Sequence, residues 1–267
     1  MKIANSLIVI SGASSGIGQA SAVELAALGA RVILVARSAG KLEATAGHIR
    51  KAGGQAWAFP ADLSRPQEAV RLAEEVLGQH GVPQALIHSA GAGEWRFLDE
   101  TPIEDIQRLM DTPFFAAAYL TRAFLPAMLR ENRGYILSVC SPASRQVWPG
   151  ATGYIASRWA LNGLTEALRA DLYGTGLKAG CMFPAKISDS AYFQTNTETE
   201  DRIPTIGRVI PPITSRQAAL GVVRCLEQER RILIQPWQMA VFDAFARMFP
   251  RVSEYFAFST GARRPNV

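Results

Sequence analysis

A short glycine-rich turn near the amino terminus constrains the fold of this chain more than any other stretch. Residues 7–10 are apolar without alternation, which is typical of a strand covered on both faces. Gly12, Gly16 and Gly18 follow, and a backbone without Cβ atoms can turn sharply and approach a ligand closely. A helical pattern over 16–27 comes next, and the free N–H groups at its start favour a bound pyrophosphate. The alternative is an ordinary strand-to-helix connection with fortuitous glycines, so the rest of the chain has to decide between the two.

Strand-like and helix-like stretches alternate through the rest of the chain. Apolar runs that predict further strands lie at 31–35, 56–60, 85–88, 134–139, 178–183 and 232–235. Helical patterns fill most of the intervals between them. This alternation predicts an α/β fold, with about seven parallel strands in one doubly wound sheet and helices on both faces. Ligands of such sheets bind beyond the carboxyl ends of the strands, where the strand order reverses.

Three tetrapeptides that begin with a hydroxyl side chain predict helix starts. They lie at 64–67, 101–104 and 214–217. In each of them the first residue is placed to cap the helix, and a Gln or Glu three positions later is placed to reach back to it. The segment 184–215 loses regular pattern and carries prolines, which predicts a long loop on the substrate side of the sheet.

Composition and charge exclude several classes of protein. Hydrophobic residues make up 48% of the 267 residues and charged residues 19%, as in soluble globular proteins, and one domain over 1–267 accommodates this length. The net charge of +5 is modest and no basic stripe is interleaved with aromatic residues, so we expect small anionic ligands and no nucleic acid. No apolar run approaches the ~18 residues that span a membrane, and no signal peptide precedes the first strand, so we expect a cytoplasmic protein. The three cysteines and three histidines show no ligand spacing, so we expect no metal.

Five motifs in chain order resemble those of the short-chain dehydrogenase/reductase family. They are the turn at 11–18, Asp62-Leu63 after the third strand, Ala90-Gly91 after the fourth, Ser141 after the fifth and Tyr154 thirteen residues later. The resemblance covers nearly the whole chain. It implies a single Rossmann-type domain, a nicotinamide cofactor, oxidoreductase activity on a small-molecule carbonyl or alcohol, and a homodimer or homotetramer. The cofactor contacts that it implies fall on Gly12, Ser14, Ser15, Gly16, Ile17, Gly18, Asp62, Leu63, Ala90, Gly91, Tyr154, Arg158, Pro184 and Ile187.

The end of the second predicted strand bears on the choice of cofactor. Folds that prefer NAD place an acid there to hold the adenosine ribose, whereas a basic side chain accommodates the 2′-phosphate of NADP. This chain has Ala36-Arg37-Ser38 at that point and no acid. A guanidinium suits a phosphate, so Arg37 predicts NADP. The alternative is a surface arginine that merely precedes a helix.

Tyr154 and Arg158 predict acid–base chemistry. Hydride transfer at a carbinol carbon needs a group that moves the hydroxyl proton, and a phenol serves if its phenolate is stabilised. The two residues are four positions apart at the start of a predicted helix and therefore lie on one face. A unit cation about 4 Å from the phenolate oxygen supplies on the order of 4 kcal/mol at an effective dielectric near 20. By the resemblance, Ser141 would hydrogen-bond the substrate oxygen; a simple turn after the strand is its alternative role.

The chain departs from the family pattern at several site positions. Arg158 stands where the family has Lys; it keeps the charge and the contact to the nicotinamide ribose, but a guanidinium does not relay a proton as an ammonium does. Pro113 stands at the usual Asn, where it removes an amide donor and frees the carbonyl of Leu109. Asp189 stands at the usual Thr, where it would repel the pyrophosphate, and a neighbouring serine would have to substitute.

These features leave two functions open. One is an NADP-dependent carbonyl reductase or alcohol dehydrogenase in which Ser141, Tyr154 and Arg158 are catalytic. The other is a catalytically impaired NADP-binding sensor, scaffold or partner subunit. Aromatic stretches at 145–150 and 190–194 flank the predicted reaction centre and indicate an apolar or aromatic substrate.

The C-terminal extension, 237–267, carries an apolar stripe at helical spacing that Pro250 interrupts. The stripe consists of Trp237, Val241, Phe245, Met248, Val252 and Phe256. Three roles are open for it: it covers the substrate pocket, packs between subunits or lies on a membrane surface.

Overall fold

The computed structural model describes residues 1–91, 93–190 and 202–264, and within these ranges seven parallel strands form one sheet. The strands are β1 Leu7–Ser11, β2 Arg31–Ala36, β3 Gln55–Pro60, β4 Ala85–His88, β5 Gly134–Val139, β6 Leu177–Pro184 and β7 Ile232–Gln235. Their order across the sheet is β3-β2-β1-β4-β5-β6-β7. The order reverses between β1 and β4, so the carboxyl ends of these strands open the crevice in which such sheets bind ligands. The predicted doubly wound α/β fold is confirmed.

Helices cover both faces of this sheet. Over the described residues they are α1 Gly16–Ala27, α2 Ala39–Lys51, α3 Pro66–His80, α4 Ile103–Met110, α5 Ala116–Glu131, α6 Thr152–Asp171, α7 Thr205–Val209, α8 Ser215–Gln228, α9 Trp237–Met248 and α10 Pro250–Thr260. One apolar cluster joins α1, α2 and α8 to the sheet, and another joins α3, α5 and the end of α6 to it. In β1, Ile8 and Ile10 belong to the first cluster while Leu7 and Val9 belong to the second. Both faces of the strand are therefore buried, which explains its continuous apolar sequence.

The turn between β1 and α1 depends on its glycines. Gly12 has a φ of +71°, and a Cβ atom there would lie 2.7 Å from the backbone of Ser89 and Ala90. A Cβ atom on Gly18 would overlap the carbonyl group of Gly12. A side chain at Gly12 would therefore push the turn away from the backbone that follows β4, and one at Gly18 would push α1 away from the turn. The strand, turn and helix that the sequence predicts over 7–27 are present.

Only one of the three predicted helix caps forms. At the start of α8, the Thr214 hydroxyl accepts from the Gln217 N–H at 3.1 Å, and the Thr214 N–H donates to the Gln217 side chain at 2.8 Å. The prediction is wrong at Ser64 and Thr101, where the helices begin at Pro66 and Ile103 without a side-chain cap. Both hydroxyls donate elsewhere: Ser64 to an Asp62 carboxylate oxygen at 2.8 Å and Thr101 to the carbonyl of Phe97 at 2.9 Å.

The helical segment that contains Pro113 continues through a π-helical turn. Asp111–Phe115 forms this turn and joins α4 to α5. A proline cannot donate the usual helical hydrogen bond, and a wider turn is one way in which a helix accommodates that loss. The release of the Leu109 carbonyl stays a prediction. The segment 184–215 is less irregular than expected, because it contains α7 and a bridge between Ile187 and Ile213.

The two C-terminal helices, α9 and α10, meet at Pro250, as the interrupted stripe predicts. The six stripe residues point away from the rest of the molecule and are 40–71% exposed. The inward sides of the helices carry both apolar and polar residues, among them the buried Met239, Asp243 and Ser253. Among the described residues, no helix is long and apolar enough to cross a bilayer.

Asp243 anchors α9 to the loop that follows β5. Its carboxylate accepts two hydrogen bonds from the Arg145 guanidinium, one of them at 2.7 Å from Nη2 to Oδ2. The guanidinium carbon also lies 4.7 Å from the centre of the Phe183 ring. Both charged side chains are about nine-tenths buried, with 9% and 11% exposure. Removing one partner of such a pair costs roughly 3–5 kcal/mol, because the other charge is left buried and uncompensated.

His88, on β4, predicts a specific acid sensitivity of the fold. Its Nε2 lies 2.8 Å from the Thr121 hydroxyl, and burial lowers the pKa of the imidazole to about 4. His88 has its ordinary pKa of about 6.5 in the unfolded chain and a pKa of about 4 in the folded protein. Between these two values the unfolded chain binds more protons, so the free energy of unfolding falls as the pH drops through this range. Through this group, the free energy of unfolding of the wild type should fall by about 2 kcal/mol between pH 7 and pH 5. The His88→Asn variant lacks the imidazole, so its free energy of unfolding should fall by about 2 kcal/mol less over the same range. Urea titrations of both proteins at the two pH values measure the difference; equal losses would contradict it.

Candidate active site

A cavity of about 770 Å³ opens at the carboxyl ends of the central strands, and we call it the central cavity. Most of the site residues that the sequence predicts line it: Gly12, Ser14, Ser15, Gly16, Ile17, Arg37, Asp62, Leu63, Ala90, Gly91, Ser141, Tyr154, Arg158, Pro184 and Ile187. Gly18 is the exception, because it is buried against the carbonyl group of Gly12. Its place is in the packing of the turn rather than on the cavity wall. Motifs separated by more than a hundred residues thus share one cavity.

The nucleotide end of the cavity is cationic. Arg37 and Lys41 both line it, although the sequence predicts a role for Arg37 only. Burial alone would raise the pKa of the nearby Asp62 carboxyl, but bonds from the Ser64 hydroxyl and amide, together with the Arg37 charge, bring that pKa below its usual value. Asp62 is therefore a carboxylate at neutral pH and accepts hydrogen bonds. The glycine turn beside these groups leaves space that a Cβ atom would fill, which fits a dinucleotide.

Ser141 lies two residues beyond the end of β5, with its backbone extended and the residue 9% exposed. The hydroxyl oxygen accepts a hydrogen bond from the Ala143 N–H at 3.2 Å. That bond fixes the oxygen and leaves the hydroxyl hydrogen to donate into the cavity. The position suits a donor to a substrate oxygen.

Tyr154 and Arg158 lie on one face of α6, as their spacing predicts. Both residues are 8% exposed and line the central cavity. The guanidinium carbon is 5.1 Å from the centre of the tyrosine ring, so the cation acts at short range on the phenol. The Arg158 Nε is buried, and no residue in the described ranges accepts a hydrogen bond from it. A buried cation at a cavity wall favours negative charge that develops there.

Gly91 makes the room that the Arg158 guanidinium occupies. A Cβ atom on Gly91 would lie 2.8 Å from Nη1 and 2.9 Å from the guanidinium carbon, and still closer to Nη2. The backbone of Gly91 does not require glycine, because its φ lies outside the left-handed region. The family motif placed Gly91 at the cofactor, but nothing in the sequence indicates this second contact.

The departures at Pro113 and Asp189 have different structural outcomes. Pro113 itself does not line the central cavity, whereas the preceding Thr112, which the sequence reasoning missed, does. The Asp189 carboxylate turns toward the start of α8, where it accepts from the amide and hydroxyl of Ser215 at 2.7 and 2.9 Å. It does not line the cavity, whereas Ser190 does, and the repulsion of a pyrophosphate stays a prediction.

The far end of the cavity carries several aromatic and apolar side chains, although the charged Glu94 and Arg108 also line the cavity. Trp95 lies between Trp148 and Tyr154, with ring centres 5.3 and 5.6 Å apart. The inward sides of α9 and α10 add Met239, Phe242 and Ala257. The loop at 145–150 therefore borders the reaction centre as expected, while 191–194 lies outside the described residues. The stripe does not cover the cavity; the opposite sides of its helices do.

Comparisons with known proteins agree with this geometry. A model of the family described as short chain dehydrogenase matches residues 6–201. Estradiol 17-beta-dehydrogenase 11 of Mus musculus is 28% identical over 251 residues, which are 93% of this chain and 81% of that protein. An oxidoreductase of Listeria innocua is 30% identical over 202 residues, which are 75% of this chain and 81% of that protein.

Two solved structures are also similar. A metagenomic short-chain oxidoreductase in complex with NADP is 28% identical with a TM-score of 0.73, and the match covers 88% of this chain and 96% of that one. A short-chain dehydrogenase/reductase of Burkholderia phymatum in complex with NAD has a TM-score of 0.83 over the full length of both chains, but at 21% identity it shows the fold alone. The match over 6–201 and the relative at 30% identity place this chain in the short-chain dehydrogenase/reductase family, whose members are oxidoreductases that use a nicotinamide cofactor.

Proposed function

We propose that this protein is an NADP-dependent oxidoreductase that transfers a hydride between NADPH and a ketone or secondary alcohol. The observation that carries the proposal is that Ser141, Tyr154 and Arg158 line the same cavity as the glycine turn. The bound nicotinamide would supply or accept the hydride. Tyr154 would give a proton to the carbonyl oxygen during reduction, and Ser141 would donate a hydrogen bond to that oxygen. Arg158 would hold the ribose and stabilise the phenolate that remains.

We infer a preference for NADP from the nucleotide end of the cavity. Arg37 follows β2 and lines the cavity with Lys41, and no acid follows β2 to hold an unphosphorylated ribose. We expect Arg37→Ser to raise the Kd of NADPH by roughly 10- to 100-fold, since a charge-assisted hydrogen bond contributes about 1.5–3 kcal/mol. The Kd of NADH should change by about twofold or less.

Isothermal titration of both cofactors measures these constants. Arg65→Ser is the matched control, because Arg65 is a nearby exposed arginine that does not line the cavity. Tighter binding of NADH than of NADPH by wild type would contradict the preference.

We propose an apolar or aromatic carbonyl substrate. Trp95, Trp148, Met239 and Phe242 line the end of the cavity beyond Tyr154, and such walls bind flat apolar groups. Ile203, from the segment 184–215 that we assign to the substrate side, also lines the cavity. We further infer a cytoplasmic homodimer or homotetramer with one domain over 1–267, as the family resemblance implies.

Oxidation of NADPH against a panel of aromatic and aliphatic ketones tests the activity. Turnover that is fastest with aromatic ketones supports the proposal. Tight NADPH binding without turnover of any ketone or secondary alcohol, by wild type and by Arg158→Lys alike, would favour the sensor or scaffold function instead.

A further inference from the structure

The outward side of α9 and α10 is a continuous apolar surface, which we call the outer face. It consists of Trp237, Val241, Phe245, Met248, Phe249, Val252, Tyr255, Phe256 and Phe258, each 40–71% exposed. Contiguous apolar surface of this extent on a folded protein marks an interaction site. The buried side of the two helices is filled by other residues: Met239, Asp243, Ala246, Ser253 and Ala257. Outer-face rings contact one another, as Phe245 and Phe249 do at 5.3 Å, and each stays at least 40% exposed.

The charges around the outer face are mainly positive. Over the described part of 237–264, the exposed charged side chains are Arg247, Arg251, Arg263 and Arg264 against Glu254. Arg264 is paired with Asp99 at 2.6 Å, which leaves three arginines against one acid. The one further acid, Asp243, is buried in its pair with Arg145 and also lies 3.2 Å from the Nε of Arg247. A second copy of the same face would bring two positive rims together, whereas an anionic surface would neutralise them. Charge complementarity therefore favours an anionic partner.

The residue types on the outer face are those of a bilayer interface. Trp237 and Tyr255 are amphipathic rings, 70% and 68% exposed, of the kind that settles at the level of lipid headgroups. An apolar helical face flanked by arginines binds in the plane of a membrane and does not need to cross it. This geometry agrees with helices that are too short to span a bilayer.

We propose that the outer face docks on the surface of a membrane that contains anionic lipids. On the opposite side of the same helices, Met239, Phe242 and Ala257 line the cavity wall. Docking of the outer face would therefore place the apolar end of the cavity near the bilayer. The proposal does not depend on turnover or on the choice of cofactor.

Flotation of the full-length protein with lipid vesicles tests this docking. Wild type should float with vesicles of phosphatidylcholine and phosphatidylglycerol, float less with phosphatidylcholine alone, and lose binding as salt rises. The double variant Trp237→Ser/Met248→Ser should lower the partition coefficient by about tenfold or more, because these two side chains are among the most exposed of the face. Tyr173→Ser is the matched control: Tyr173 is 92% exposed but lies outside the face, and this variant should float like wild type.

Thermal unfolding and NADPH binding of each variant show that its fold is intact. Wild type that stays unbound with both kinds of vesicle would overturn the proposal. So would a dimer, seen by light scattering, that the double variant dissociates while vesicles bind neither protein, since the outer face would then be a subunit contact. Equal flotation with neutral and anionic vesicles would overturn the electrostatic preference.

Discussion

Replacing Tyr154 with phenylalanine is expected to lower kcat for ketone reduction by roughly 10²- to 10⁴-fold, the range for loss of a general acid. The ring keeps its contacts to Trp95 at 5.6 Å and to the Arg158 guanidinium at 5.1 Å, so the shape of the cavity is preserved. Only the phenolic oxygen is lost, and with it the proton that the substrate oxygen needs. The Kd of NADPH should change by less than about threefold, because the loss falls on the transition state.

The measurement is steady-state NADPH oxidation with the best ketone of the panel, together with cofactor titration. Tyr119→Phe provides a control for the removal of a tyrosine hydroxyl, since Tyr119 stacks on Phe115 at 5.6 Å and does not line the central cavity. This control should retain wild-type turnover. Undiminished turnover by Tyr154→Phe would remove the phenol from the chemistry and refute the assigned role.

Gly91→Ala is expected to lower kcat/KM by about 10- to 100-fold, equivalent to about 1.4–2.7 kcal/mol of transition-state stabilisation. The new methyl group would occupy the place of the Arg158 guanidinium, and the flexible end of that side chain moves more easily than the backbone. Because the φ of Gly91 suits any residue, the free energy of unfolding should fall by less than about 1 kcal/mol. The variant should therefore lose much of its activity while keeping most of its stability.

A double-mutant cycle with Arg158→Lys identifies the cause. An ammonium is smaller than a guanidinium, so Gly91→Ala should be several-fold less harmful in the Arg158→Lys background. Gly163→Ala is the matched control, because a Cβ atom at Gly163 meets no atom within 4 Å and the residue does not line the cavity. Equal losses from Gly91→Ala in both backgrounds would show that contact with Arg158 is not the reason.

The fold and the nucleotide end of the cavity are predictable because their signals are local. The residues of β1 are apolar without alternation since both faces of the strand are buried, and Gly12 and Gly18 are required by backbone contacts within one turn. Parallel strands then bring their carboxyl ends together, so that motifs at Arg37, Asp62 and Ser141 converge without any further information.

Other features escape prediction because they depend on contacts between distant parts of the chain. The caps expected at Ser64 and Thr101 fail for a local reason instead: these hydroxyls carry the same capping pattern as Thr214, but they donate to Asp62 and Phe97 just before them in the chain. The sequence predicts that Asp189 lies near the pyrophosphate of the cofactor, but its carboxylate accepts a hydrogen bond from the Ser215 N–H. The fit of Arg158 against Gly91 joins residues on different elements, and no spacing rule connects them.

The ion pair between Arg145 and Asp243 joins the loop that follows Ser141 to α9, across 98 residues of sequence. Both side chains are about nine-tenths buried, so the loss of either one leaves a buried charge without this partner. A substitution that weakens the docking of α9 is therefore expected to disturb the loop beside Ser141 as well as the helix itself. Through this loop, a helix far along the chain bears on the geometry of the reaction centre.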